Sequence, residues 1–261
     1  MSAMTGRLQE KIAIITGAGQ GIGAATARAF AMQGAKTVIA ELNATTGKAV
    51  ADELRAKGAD AIFVETDVTD TAAVADMVAK TIAAYGGVDV LVNNAGANVF
   101  HEPLQMPDEE WDRCLRLDLE ATWFCAKAVL PTMLANGSGS IVNIASCHAF
   151  KIIPHTFPYP VAKHALVGLT RSLAIEYAAR GIRVNAIAPG YIETPIAQAY
   201  WNTFPDPAEE KRRAYDLHPP KRIGRPDEVA MTAVFLASDE APFINAETIT
   251  IDGGRSVLYH D

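Results

Sequence analysis

The sequence predicts an α/β fold: a single domain built on a doubly wound, parallel β-sheet of about seven strands flanked by helices. Two observations carry that prediction. Short runs rich in Val and Ile recur along the chain, apolar at successive residues, as strands covered on both faces require. Between them lie longer stretches with apolar residues at three- and four-residue steps that stop at glycine, such as "GIGAATARAFAMQG" and "TAAVADMVAKTIAAYG". The alternation is a βαβ rhythm.

The first strand is "KIAIIT" at 11, followed at once by "TGAGQGIG", a glycine-rich turn opening a helix. The second, "KTVIAE" at 36, ends on Glu41. "DAIFVE" at 60, "VDVLVNN" at 88, "GSIVNIA" at 139, "GIRVNAI" at 181 and "ETITID" at 247 complete the set. Residues 191–226 break the rhythm with many prolines and mixed charge, reading either as a solvated excursion or as a mobile flap over a site. No repeat, low-complexity tract or long linker divides the chain, so residues 1–261 are expected to be one domain carrying a flap at about 191–226.

With 49% hydrophobic and 20% charged residues, the 261-residue chain has the balance of a globular protein with a sizeable core. A net charge of -7 argues against a nucleic-acid or anionic-membrane partner and leaves a small molecule as the expected one. Cys114, Cys125 and Cys147 are odd in number and lack a C-x-x-C spacing, which argues against a disulfide framework or a metal site and for a reducing compartment. The opening "MSAMTGRLQEK" has no apolar leader, and no run is long enough to span a bilayer, so a cytoplasmic protein is expected.

Two constellations carry chemistry. In the first, Gly17, Gly21 and Gly23 lie between a strand and a helix, where they permit a tight turn and close approach of a pyrophosphate to a helix N-terminus. Glu41 at the end of the second strand is placed to accept hydrogen bonds from ribose hydroxyls. A 2'-phosphate would meet the same carboxylate with no compensating cation at Gln20 or Leu42, so NAD is expected over NADP. In the second, Tyr159 and Lys163 share one helix face in "FPYPVAKHA", and an ammonium beside a phenol favours the phenolate, a base usable near neutrality. Pro160 is tolerated in a first helical turn but biases Tyr159 towards an extended backbone.

The glycines spaced G-x-x-x-G-x-G, "NNAG" at 93, Ser146 thirteen residues before Tyr159, Lys163 four after it, "RVNAIAPG" at 183, "FLASD" at 235 and "IDGG" at 251 together resemble the short-chain dehydrogenase/reductase family, nearly end to end. The resemblance implies a Rossmann-type domain and reversible hydride transfer between a nicotinamide and a carbinol carbon. By it, Tyr159 is the general base of oxidation, Ser146 binds the substrate oxygen, and Lys163 depresses the tyrosine pKa and holds the nicotinamide ribose. Gly17, Gln20, Gly21, Ile22 and Gly23 would form the phosphate turn, Asp67 and Val68 border the adenine, Asn94, Ala95 and Gly96 line the cofactor's middle, and Pro189, Gly190, Ile192 and Thr194 hold the nicotinamide end. The family commonly has an Asn twenty-eight residues before the serine, holding a proton-relay water; here it is Asp118, which either keeps that role or satisfies a buried backbone group.

Positions expected to border the substrate supply Asn98, His101, His148, Lys151, His155, Tyr191, Trp201 and Asn202, whose polarity suits a polyhydroxylated molecule better than a steroid or acyl chain. The flap "AYWNTFPDP" and tail "GGRSVLYHD" are similar to those of bacterial family members that oxidise sugars or sugar acids, which implies a sugar, polyol or 2-keto-3-deoxy sugar acid, with Lys151 or Arg255 available for a carboxylate. The alternative is reduction of an oxoacyl chain, against which Glu41 counts; a more remote one is a nucleotide-sensing protein without turnover. The resemblance further implies a homotetramer built through helices at about 108–134 and 159–180 and the last strand; the unusual "YHD" finish separately suggests a tail that reaches a neighbour's pocket.

Overall fold

The computed structural model describes residues 6–259; His260 and Asp261, and with them the end of the tail, lie outside that range. The strands are β1 (Ile12–Thr16), β2 (Lys36–Glu41), β3 (Ala61–Glu65), β4 (Val90–Asn93), β5 (Phe100–His101), β6 (Gly139–Ile144), β7 (Phe157–Pro158), β8 (Ile182–Pro189) and β9 (Thr248–Ile251). Seven of them form one sheet in the order β3-β2-β1-β4-β6-β8-β9, and every neighbouring pair in it is parallel. All seven sequence-predicted strands are present. The strand order reverses between β1 and β4, and that crevice at the carboxyl ends is where such sheets bind ligands.

Successive residues of a strand face opposite sides, and in β1, β2, β4, β6 and β8 both sides are buried, which is why those strands read as largely apolar runs. Ile15, Ile39, Val92 and Val142 pack beneath one helical layer with Phe30, Leu54, Val229 and Val234. Their neighbours Ile14, Val38, Leu91 and Ile141 pack beneath the other with Met77, Val129, Met133 and Val184. Each such side chain contributes about 1.5–3 kcal/mol by leaving water.

The helices are α1 (Gly21–Met32), α2 (Ala44–Ala56), α3 (Thr71–Tyr85), α4 (Asp108–Leu115), α5 (Ala121–Asn136), α6 (Tyr159–Tyr177), α7 (Pro195–Trp201), α8 (Pro207–Asp216) and α9 (Pro226–Ala237). A π-helical turn over Arg116–Glu120 joins α4 to α5. Among the described residues no helix is long and apolar enough to cross a membrane.

Residues 191–226 are neither a bare excursion nor an extended loop. Thr194 caps α7 and Asp206 caps α8, each with proline as the first helical residue, where its missing N–H costs nothing. Trp201, 1% exposed, packs with Ala214 and Ile223 in a small core of the segment's own. A bridge from Ile192 to Gly224 closes the segment at its base.

Candidate active site

The glycine turn is held by contacts that leave no room for side chains. A Cβ on Gly23 would stand 2.1 Å from the Gly17 carbonyl oxygen, and Gly17 itself has φ +62° with Ala95 Cα 2.9 Å from where its Cβ would be. Asn94 Nδ2 donates to the carbonyls of Thr16 and Gly17, both at 3.0 Å, tying β4 to the turn. Gln20 is the N-cap of α1 but makes no side-chain cap, and the first turn holds no acid, so its N–H groups keep their donors for an anion. Thr194 lies against Gly21, whose Cβ would be 3.4 Å from the threonine methyl. Ile22 packs on the core beneath. Glu41 accepts hydrogen bonds from the Gly19 and Asn43 N–H groups at 2.9 and 3.0 Å, placing its carboxylate beside the turn. Asp67 turns the chain after β3 by accepting from Thr69 N–H and Oγ1, and Val68 beside it is buried. Gly96 follows β4, and Pro189, Gly190 and Ile192 lie at or just past the end of β8, on the same carboxyl side of the parallel sheet as the turn.

The second cluster lies at the carboxyl end of β6. Ser146 follows that strand and accepts from the His148 N–H at 3.1 Å. Tyr159 opens α6 as its first residue and Pro160 follows it there, so the extended backbone expected for Tyr159 does not occur: the first turn accommodates both. The helix is moored to the sheet by a buried chain in which Asn93 Nδ2 donates to Asn143 Oδ1 and Asn143 Nδ2 to Thr170 Oγ1, both at 2.9 Å.

Lys163 is buried, and its ammonium donates to Asp118 Oδ1 at 3.2 Å and to the Ile144 carbonyl at 3.4 Å. Asp118 sits in the π-helical turn, accepts the Ala97 N–H at 3.2 Å through the same oxygen, and keeps Oδ2 buried without a partner. A Cβ on Gly96 would come within 2.6 Å of this carboxylate. Asp118 thus satisfies a backbone group, one of its two expected roles, and in addition pairs with Lys163, which the sequence did not foretell.

Desolvation pushes the Tyr159 phenol up; Lys163 and the Ser146 hydrogen bond pull it down, and the Asp118 charge pushes it up again. Lys163 thus lowers the tyrosine as the spacing foretold, but burial outweighs it. Burial also raises the Asp118 carboxyl against the pull of Lys163. For Lys163 burial favours the neutral amine, and the attraction of Asp118 and Tyr159 together overcomes it, holding the ammonium above its ordinary value.

Around Tyr159 stands an aromatic wall. Phe100 and His148 meet its ring edge-on at centroid distances of 5.6 and 5.8 Å, and Tyr200 from α7 meets Phe100 at 6.0 Å. Burial holds His148 below its ordinary pKa. Of the expected substrate residues, His148 is thus beside the tyrosine, and Tyr191 follows Gly190 at the end of β8. Asn98, Lys151, His155 and Asn202 are exposed at the rim, and His101 pairs with Glu110 at 3.3 Å. Trp201 points into the core of its own segment, so its predicted contact with substrate is corrected: a large ring on α7 found apolar partners in Ala214 and Ile223. Phe100, Tyr200 and His218 were missed from sequence, the first because a two-residue strand has no periodicity to read.

A family model described as enoyl-(acyl carrier protein) reductase matches residues 17–256. An oxidoreductase of Thermotoga maritima is 43% identical over 253 residues, covering 96% of this chain and 97% of that one. The chain is a short-chain dehydrogenase/reductase. The 3-oxoacyl-[acyl-carrier-protein] reductase FabG of T. maritima is 35% identical over 248 residues, covering 95% and 98% of the two chains. The aldohexose dehydrogenase of Thermoplasma acidophilum, a solved structure, superposes with a TM-score of 0.89 at 33% identity over 98% and 97%. As a member of the family this short-chain dehydrogenase/reductase is an oxidoreductase of CH–OH groups that uses a nicotinamide cofactor.

Proposed function

We propose that this enzyme transfers a hydride between NAD and a secondary alcohol or carbonyl of a sugar, polyol or 2-keto-3-deoxy sugar acid. The observation that carries the cofactor choice is the Glu41 carboxylate, hydrogen-bonded beside the glycine turn where a 2'-phosphate would be repelled. Bound nicotinamide supplies the hydride acceptor at its C4. Ser146 hydrogen-bonds the substrate oxygen, and Tyr159, as phenolate, takes the hydroxyl proton during oxidation and returns it during reduction. Lys163 stabilises that phenolate and reaches the ribose, while Asp118 fixes the ammonium in place. The turn at Gly17–Gly23, Glu41, Asp67–Val68, Asn94–Gly96 and Pro189–Thr194 hold the cofactor, and residues 191–226 serve as the substrate flap of a one-domain chain. The similarity to an aldohexose dehydrogenase and the neutral His148 beside Tyr159 support a hydroxylated substrate.

A second reading, reduction of an oxoacyl chain, is favoured by the exposed Ile152 and Ile153 and the Phe100 wall, which an acyl chain would cover. Absorbance at the reduced-nicotinamide band, recorded with aldoses, polyols, sugar acids and oxoacyl thioesters against both cofactors, separates the two. Reduction of NAD by one stereochemical series of sugars is expected; turnover confined to oxoacyl substrates with NADPH would replace the first reading by the second.

A further inference from the structure

A short ribbon brings an aromatic ring against Tyr159. β5 pairs antiparallel with β7, setting Phe100 opposite Pro158, the residue before the tyrosine, and His101 opposite Phe157. Both strands are fixed by packing: Val99, 1% exposed, lies among Cys114 and Ala162, and Phe157 stands against Trp111 at 5.8 Å. Phe100 is therefore held in place. Its ring meets Tyr159 at 5.6 Å and 78°, and His148 at 6.1 Å and 53°. A near-perpendicular meeting is one that two aromatic quadrupoles favour.

Among the described residues, Phe100 joins none of the hydrophobic clusters of the sheet or of the flap, and it is only half-buried. Its apolar surface serves the site, not the core. The same ring is met by Tyr200 of α7 at 6.0 Å and 89°, and Tyr200 in turn by Phe204 at 5.1 Å and 79°. Tyr200 also packs on the core of Trp201, Ala214 and Ile223, so the placement of residues 191–226 reaches Phe100 through one contact.

The titratable and charged groups about the Tyr159 phenol come from other elements. Lys163 of α6 holds its ammonium 5.3 Å from the centre of the tyrosine ring, Asp118 faces it from the π-helical turn, Cys114 from α4, and Ser146 and His148 from the chain after β6. Burial pushes the Cys114 thiol up to about 12 and holds His148 below its ordinary value, so both are neutral. Phe100 adds no charge. What it adds is orientation and the exclusion of water, and desolvation is the largest influence on this phenol.

We propose that Phe100 is a positioning residue for the reaction: its ring holds the Tyr159 ring edge-on and keeps water from it, and Tyr200 of residues 191–226 covers that same ring. This rests on Tyr159 as the proton-transferring group and holds for either substrate reading.

The test records kcat against pH, and the dissociation constant for NADH, in the wild type, Phe100→Ala, Phe100→Leu, Phe100→Tyr and Tyr159→Phe. The probes are an aldose with NAD and a 3-oxoacyl thioester with NADPH. Phe100→Ala should lower kcat by about ten- to a hundred-fold, the scale set by a misplaced reacting group, and leave NADH binding near that of the wild type. Water admitted beside the phenol favours the phenolate, so the pH limb, rising for oxidation and falling for reduction, should move to lower pH. Phe100→Leu, milder on folding, should show the same changes in smaller degree, and Phe100→Tyr, which keeps the ring, should recover most of the rate and return the limb. A wild-type kcat in Phe100→Ala, a fallen kcat with an unmoved limb, or NADH binding lost in step with kcat each overturns the proposal, the last by marking a role in folding. With Tyr159→Phe inactive these results bear on Phe100 alone; a Tyr159→Phe enzyme that turns over at the wild-type rate overturns the reading of Tyr159 instead.

Discussion

At the residue scale the chemistry turns on a carboxylate where an amide would suffice. Asp118 places a negative charge against Lys163 at 3.2 Å, and that charge works against the phenolate of Tyr159. Burial raises the tyrosine in the same direction, so oxidation, which needs the phenolate, should rise with pH, and reduction, which needs the phenol, should fall. Asp118→Asn keeps an oxygen for the Ala97 N–H and removes the charge. We expect it to retain substantial activity and to move the rising limb of the oxidation profile to lower pH; an unmoved limb would show that the charge does not reach Tyr159. Glu41 is the second telling residue. Glu41→Ala should lower the NAD-over-NADP ratio of kcat/KM by about ten- to a hundred-fold, through loss of hydrogen bonds to a charged group, and an unchanged ratio would remove the basis for the NAD assignment. Both acids were legible in the sequence, one from its place at a strand end and one as a departure from a familiar pattern. The Lys163–Asp118 pair was not, because the residues stand 45 positions apart and meet only when α6 packs on the π-helical turn.

At the scale of elements, the inner sheet strands were readable because parallel strands buried on both faces need apolar residues at nearly every step, and the edge strand β9 through its β-branched "TITI". The helices within residues 191–226 were not foreseen, for an equally physical reason. The prolines broke the sheet-and-helix rhythm, yet "TP" at 194 and "DP" at 206 are each an N-cap followed by the first helical residue, the one place a helix accepts proline freely. The β5–β7 ribbon beneath the aromatic wall, with two residues on each side, carried no period at all. The internal core of the flap yields its own prediction. Trp201→Ala leaves a cavity between α7 and α8 worth about 3–5 kcal/mol. It should raise the KM for substrate while the dissociation constant for NADH stays close to wild type, and hydrogen exchange should quicken over residues 195–216 alone. An equal loss of NADH binding would show that the segment supports the cofactor crevice instead.

At the scale of the whole molecule, the two core layers and the sheet between them present the glycine turn, the Ser146–Tyr159–Lys163 cluster and the start of residues 191–226 at the carboxyl ends of the strands. We propose the homotetramer that the family resemblance implies; Ile175 on α6, one of the elements expected at the interfaces, is an exposed apolar side chain that supports it. Sedimentation should give the mass of four chains, and a monomer at micromolar concentration would contradict it. The account as a whole stands on Tyr159 as the proton-transferring group of an NAD-linked oxidation. The most direct measurement is Tyr159→Phe, assayed for turnover on the best sugar substrate and, by fluorescence, for binding of NADH. The account predicts a fall in kcat of about a hundred- to ten-thousand-fold in a protein that still binds NADH; turnover near the wild-type rate would contradict it.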